Sequence, residues 1–327
     1  MHPSPTEGLA VFDVAALALA AAFGAIWGSF LNVCIARIPR GMSVIAPPSH
    51  CFACGARVRP RDNIPILSYF LLRGRCRSCG AEFSGRHALV EALTAVLAVL
   101  VLWSFVLDAP GVPLGVRVAR FAVYFAFAAV LVVLTFIDLD TKRLPDVITL
   151  PSIVVFFLGG FATGEVGWLD RAIGAAGGYL LVRIIADAYY YSTGREGLGL
   201  GDGKLLAIMG ALLGWKALPP IVCAASLVGI LVSVPVLLVQ RHRRRAEPRV
   251  AAATPPATAP ESQPPSTPPL PGPTASANDA SGPPASTSVS IRRAEVPFGP
   301  FLSASALGYL FLHRQIWAFF ERILLGG

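Results

Sequence analysis

Two carboxylates and four thiols are the side chains whose types and spacing could do chemistry here. Asp138 ends a 20-residue apolar run, 118–137, and begins Asp138-Leu-Asp-Thr-Lys-Arg-Leu-Pro-Asp146. Asp202 closes Gly199-Leu-Gly201-Asp202 and is followed by Gly203, Lys204 and a short apolar stretch. Carboxylates at the edge of apolar spans are costly and so mark function. Two of them within about 3 Å cannot both ionise: one keeps a proton while the other takes one from water. On a peptide, that water would attack the scissile carbonyl and the protonated partner would meet the developing oxyanion. Gly199, Gly201 and Lys204 then mark where an extended substrate approaches the main chain, because a missing Cβ permits close approach. The plainer alternative makes Asp202 a helix N-cap and Asp138 an interfacial charge.

The thiols form Cys51-Phe-Ala-Cys54 and, after 21 intervening residues, Cys76-Arg-Ser-Cys79, each pair followed by glycine (Gly55, Gly80). Two such knuckles suit tetrahedral zinc, and four thiolates leave no open coordination position, so the metal would be structural. The competing reading is two disulfides or redox pairs, which a reducing compartment disfavours. Cys34 and Cys223 lie in apolar spans and read as small packed hydrophobes.

Further ionisable residues near membrane depth are Asp13, Glu91, Asp140, Asp146, Arg183 and Asp187. Asp13 reaches water at the end of its span. Arg183 and Asp187, at i and i+4, read as a local ion pair. Glu91 lies about one turn into the second span, and its role stays open.

The elements that must position these groups follow from composition. The chain has 327 residues, 54% hydrophobic and 14% charged, with mean hydropathy +0.64. An ordinary soluble domain carries about 25% charged residues, so a water-soluble enzyme is excluded. The net charge of +8 belongs to a membrane pattern rather than to a nucleic-acid stripe. Runs able to cross about 30 Å of hydrocarbon occur at 9–34, 88–107, 118–137, 172–191 and 221–239. Shorter runs at 147–161, 205–218 and 300–312 bring the expected count to about eight. Lys and Arg crowd the segments after the first, third, fifth and seventh spans, which puts both termini outside and those segments in the cytoplasm. The first run lacks a basic leader and is too long for a cleaved signal, so it reads as an anchor.

The expected architecture is an all-α polytopic membrane protein with a small cytoplasmic zinc-ribbon-like domain inserted after the first helix. Residues 1–34 hold the first span, 35–86 the four-cysteine domain and 87–240 a membrane core of six helices. Residues 241–296 form a basic, then Pro/Ala/Ser-rich, linker, disordered over 246–290 because its composition buries little apolar surface. Residues 297–327 hold the last span.

These residues resemble the bacterial prepilin peptidases, or type IV leader peptidases, among the Gly-x-Gly-Asp membrane aspartic proteases. The resemblance runs through Gly28-Ser-Phe-Leu-Asn-Val33, Arg37-Ile-Pro39, Pro48-Ser-His-Cys-Phe-Ala-Cys-Gly55 and Asn63-Ile-Pro-Ile-Leu-Ser-Tyr69. It continues through Leu72-Arg-Gly-Arg-Cys-Arg-Ser-Cys79, Asp138 to Asp146, Gly197-Leu-Gly-Leu-Gly-Asp202 with Lys204, and Pro297-Phe-Gly-Pro300. It implies that Asp138 and Asp202 are catalytic, with Asp140 and Asp146 as neighbours. It also implies removal of basic leaders from type IV prepilins or type II secretion pseudopilins at the cytoplasmic face of the bacterial inner membrane, after Gly and usually before Phe. Members with the four-cysteine domain often methylate the new N-terminus with S-adenosylmethionine; the residues for this are unassigned. The long linker departs from the usual pattern, as does Phe52-Ala53 within the first knuckle. An ion-coupled transporter or a zinc-stabilised scaffold would use the same intramembrane carboxylates or thiols without cleavage, although visible internal repeats are lacking.

Overall fold

The computed structural model describes residues 5–51, 53–109, 111–194, 199–246 and 297–324; for 5–12, 236–246, 314 and 316–324 it describes the backbone alone. The expected disordered linker at 246–290 lies almost wholly outside the described residues. Among the described residues the regular elements are helices: α1 Pro5–Arg37, α2 Leu67–Leu71, α3 Arg86–Leu102, α4 Leu114–Thr141, α5 Asp146–Thr163, α6 Trp168–Thr193, α7 Leu200–Leu213, α8 Leu218–Ala246 and α9 Gly299–Leu324. One compact unit comprises 1–231 and 297–327; a second, 232–296, contains the C-terminal part of α8.

Among the described residues six helical segments are long and apolar enough to cross a membrane, lying in α1, α3, α4, α5, α6 and α8. The 147–161 run, too short by sequence, belongs to this set, because the helix extends over 18 residues from Asp146 to Thr163. The 205–218 run is broken instead. Gly214 takes φ +79° after Leu213, so α7 ends there at 14 residues, about 21 Å of helix. Helices α7 and α9 are therefore the two whose crossing rests on the sequence pattern alone.

Helix α4 is the centre of the bundle: 67% of its apolar window is buried, against 17% for α6. Its residues Phe127, Leu131 and Leu134 join Leu205, Ile208 and Met209 of α7 and Leu302 and Ala306 of α9 in the main core. A second cluster packs Leu31 and Ile35 of α1 and Val90 of α3 on the α4 residues Val132 and Ile137.

Two helix pairs approach closely through glycine. In α1, a Cβ on Gly24 would stand 2.6 Å from the Thr94 carbonyl oxygen, and one on Gly28 2.6 Å from Glu91 Cα. In α6, a Cβ on Gly174 would stand 2.6 Å from the Gly210 carbonyl oxygen, and one on Gly178 2.9 Å from Leu206. Both pairs have the small-x-x-x-small spacing that lets membrane helices touch along their backbones. The second seam fixes where α7, and with it Asp202, stands.

Candidate active site

The C-terminal end of α4 and the N-terminal ends of α3, α5, α7 and α9 meet at one end of the bundle. Asp138 sits in the last turn of α4 and is buried, whereas Asp140 is exposed. The chain then leaves the helix through Lys142, whose φ of +54° turns it back, and the Lys142 N–H caps the Asp138 carbonyl at 2.8 Å. Pro145 is the N-cap of α5, in extended conformation, placing Asp146 in the first turn. There Asp146 accepts an ion pair from Lys204 of α7.

Asp202 is the third residue of α7; the N-cap is Gly199, which receives the Asp202 N–H at 3.2 Å. Capping is therefore not the work of the Asp202 side chain. Its carboxyl is pushed up to about 6 by burial and by the charge of Asp138, which acts on it directly. Asp202 lies outside the six candidate spans, at the mouth of its short helix. Leu144 fills the space beside Gly201, 3.3 Å from where a Cβ would stand, while among the described residues nothing lies within 4 Å of where a Gly199 Cβ would stand. Of the three residues expected along the substrate approach, Gly199 is thus the open one; Gly201 packs on Leu144 and Lys204 is held by Asp146.

A third element also reaches Asp138. The backbone N–H of Gly299, first residue of α9, hydrogen-bonds to the Asp138 carboxylate. A Cβ on Gly299 would come 2.5 Å from Oδ2. On the other side, Arg86 at the start of α3 donates to Asp140 Oδ1 at 2.5 Å and to the Phe136 carbonyl at 2.9 Å. Its guanidinium also lies 4.7 Å over the Phe136 ring. Arg86 thereby straddles Asp138 without touching its carboxyl. The expected Arg183–Asp187 pair forms at 2.8 Å.

The four cysteines converge: one ligand atom from each of Cys51, Cys54, Cys76 and Cys79 lies within 4.8 Å of the others. Each knuckle is built alike. The N–H of Cys51 bonds to the Ala56 carbonyl and that of Gly55 to Cys51, while Cys76 and Ala81, and Gly80 and Cys76, repeat the pattern at 2.8–2.9 Å. Gly55 and Gly80 take φ +71° and +73°, the left-handed turn that wraps a knuckle round an ion. Backbone N–H groups of Cys79 and Ser78 draw the Cys76 thiol down to about 7. Cys51 Sγ and Cys79 Sγ are 3.8 Å apart, far beyond a disulfide but equal to the edge of a tetrahedron with Zn–S bonds of about 2.3 Å. All four are free thiols, and the donor set fits zinc.

Residues 22–105 match the bacterial peptidase A24 N-terminal domain, and residues 125–234 the type IV leader peptidase family. The chain is 39% identical over 246 residues to an Aeromonas hydrophila prepilin leader peptidase/N-methyltransferase, covering 68% of this chain and 81% of that relative. The chain belongs to the type IV leader peptidase family. A second member, the prepilin leader peptidase/N-methyltransferase of Neisseria gonorrhoeae, is 37% identical over 262 residues, with 73% and 88% of the two chains covered. A third, from Dickeya chrysanthemi and of the same name, is 39% identical over 246 residues, covering 68% and 82%. No solved structure matches the chain. Within the leader peptidase match lie both Asp138 and Asp202; the cysteine loop falls in the N-terminal match, and Gly299 lies beyond both.

Reasoning from sequence did not find the roles of Gly299 and Arg86. Pro297-Phe-Gly-Pro300 carries the only visible signal for the first: a glycine beside a helix-starting proline at the entry to an apolar run. Arg171, a positive charge just before the apolar run 172–191, is buried within α6, 4.2 Å from the Phe161 ring centroid. Gly160 of α5 leaves the space that the Arg171 side chain fills.

Proposed function

We propose that this protein is a membrane aspartic endopeptidase that cuts leaders from type IV prepilins or type II secretion pseudopilins, after Gly and usually before Phe. The cut falls at the cytoplasmic face of the bacterial inner membrane, and the new N-terminus is then methylated with S-adenosylmethionine. The observation that carries the peptidase reading is the pairing of buried Asp138 with a half-buried Asp202 from a separate helix, close enough for the charge of one to act on the other. Family membership and the relatives' printed activities support the substrate class and the methyl transfer.

Asp202, with its raised affinity for protons, holds the shared proton, and Asp138, facing the Gly299 N–H, carries the charge. Asp138 takes a proton from water as the oxygen bonds to the scissile carbonyl carbon, while Asp202 donates to the carbonyl oxygen. Collapse of the tetrahedral centre breaks the C–N bond as the proton gained by Asp138 passes to the leaving amine, and one hydroxyl proton of the centre returns to Asp202 as the carbonyl reforms. The substrate's apolar helix stays in the bilayer while its polar leader reaches the dyad past the open side of Gly199. Cys51, Cys54, Cys76 and Cys79 would hold zinc, which would fix the loop around them and, with four thiolates, would leave no position for a reactant.

The test is mass spectrometry of a prepilin co-expressed with the protein. A product beginning at the residue after Gly and heavier by one methyl group supports both activities. An uncut prepilin removes the peptidase assignment, and a cut but unmethylated one removes the transferase.

A further inference from the structure

A cavity of about 780 Å³ lies between α1, α3 and the cysteine loop, within the ~300–1,000 Å³ typical of small-molecule sites. The proposed peptide chemistry does not use it. Its walls combine apolar surface with a carboxylate (Glu91), guanidinium and amide groups (Arg59, Asn63), and an aromatic ring (Tyr69).

Glu91 is the feature that needs explaining. It is a half-buried carboxylate facing this cavity from a membrane helix, and its Oε2 accepts the Ile66 N–H at 2.6 Å. Ile66 itself has φ +62° and ψ −53°, with the Leu67 N–H bonded to the Pro65 carbonyl at 2.6 Å. That is the rare, strained γ-turn, here on a β-branched residue that ordinarily avoids positive φ. Glu91 on one side, and Ser68 Oγ accepting the Ile64 N–H at 2.8 Å on the other, hold it in place. Backbone strain held by its surroundings concentrates at ligand sites. Glu91 Oε1 makes no other hydrogen bond among the described residues.

We infer that this cavity binds S-adenosylmethionine, with Glu91 facing its ribose diol and sulfonium end, Arg59 its carboxylate and Tyr69 its adenine. The inference rests on the methyl-transfer part of the proposed function and supplies the site for it. Three properties favour this ligand. A carboxylate in a largely apolar pocket calls for a cationic or hydroxyl-bearing partner; Arg59 in the same lining offers a cation for the amino-acid carboxylate; and the Tyr69 ring suits a purine. The location fits as well. His87, which lines the cavity, follows Arg86, whose bonds to Phe136 and Asp140 straddle Asp138. The amine released by cleavage therefore emerges beside the cavity rather than across the bundle. Once the ammonium has given a proton to water, its lone pair forms the N–C bond as the methyl C–S bond breaks. The electron pair of that bond stays on sulfur, leaving a neutral thioether and a methylated ammonium that carries the charge.

The experiment measures equilibrium binding of radiolabelled S-adenosylmethionine to the purified full-length protein in detergent, without prepilin. It is repeated on Glu91→Gln and on Ala36→Phe and Ala88→Phe, which fill the cavity from α1 and α3. Trypsin resistance of the loop 38–85 reports folding in each. Saturable binding at one site, weakened at least tenfold by all three substitutions in proteins with an intact loop, is the expected result. Unchanged affinity in folded cavity-filled proteins overturns the site while leaving methyl transfer standing. Failure of the unsubstituted protein to bind, together with cut but unmethylated prepilin, overturns the methyl-transfer reading itself. If the filled variants lose affinity for a basic leader peptide but keep it for S-adenosylmethionine, the cavity belongs to the leader and the inference is wrong.

Discussion

The N–H of Gly299 hydrogen-bonds to the carboxylate of Asp138, and no Cβ fits between them: one would stand 2.5 Å from Oδ2. The last helix, separated from α8 by a long polar segment, thus braces a residue at the end of α4. Gly299→Ala must push the carboxylate aside by about 1 Å, a displacement that costs on the order of 100-fold in rate when it moves a reacting group. Prepilin cleavage by the purified variant should fall by about that factor while the protein remains inserted and folded. Wild-type rates in Gly299→Ala would separate α9 from the chemistry.

The pH dependence follows from Asp202. Its carboxyl titrates at about 6 instead of the usual 3.8, so it is neutral below and charged above that value. As pH rises through about 6 the dyad loses its shared proton and kcat should fall along an alkaline limb. The folded state binds more protons than the unfolded chain between 3.8 and about 6, so stability should also decline as pH rises across that window. Asp202→Asn should abolish that decline. Thermal unfolding of both proteins at pH 4 and pH 7 reads the difference; parallel shifts in the two would contradict it.

Gly178 and Gly177 are adjacent in α6 but face different surroundings. A Cβ at 178 meets the Leu206 backbone at 2.9 Å; one at 177 meets nothing within 4 Å. Gly178→Leu should therefore wedge α6 from α7, displace Asp202 and lower both thermal stability and cleavage, whereas Gly177→Leu should leave both near wild type. Equal effects of the two substitutions would refute the seam.

Cys51→Ser removes one corner of the thiol tetrahedron. Structural zinc contributes on the order of 10–16 kcal/mol to folding a small domain, so the variant should lose bound zinc and its loop should become sensitive to trypsin. Metal analysis of the purified protein should give one zinc per chain, removable by a strong chelator with the same loss of protection. A folded loop in zinc-free protein would contradict the assignment.

Much of this arrangement is legible in the sequence because its signals are local. Cys-x-x-Cys-Gly knuckles, a carboxylate closing an apolar run and Gly-x-Gly-Asp each announce themselves within a few residues. Helix positions followed from hydropathy, except where single residues set the ends: Gly214 cuts α7 short, and Asp146 extends α5 beyond its apolar stretch. What stayed hidden depends on partners far apart in the chain. Gly299 lies 161 positions after Asp138, Arg86 lies 54 before Asp140, and neither partner is implied by the other's neighbours. The glycine seams were visible as spacing, Gly24 with Gly28 and Gly174 with Gly178, yet their facing helices became evident only in three dimensions. Arg171 shows the converse: positive charge near a span end reads as solvent-facing until two phenylalanine rings are found around it.

The dyad is tested most directly by single-turnover cleavage of a prepilin with Asp138→Asn, Asp202→Asn and the double variant, each verified as inserted in the membrane. Groups that act as one unit are non-additive, so each single substitution should abolish cleavage as fully as the pair. Measurable cleavage by either single variant would contradict the shared-proton mechanism.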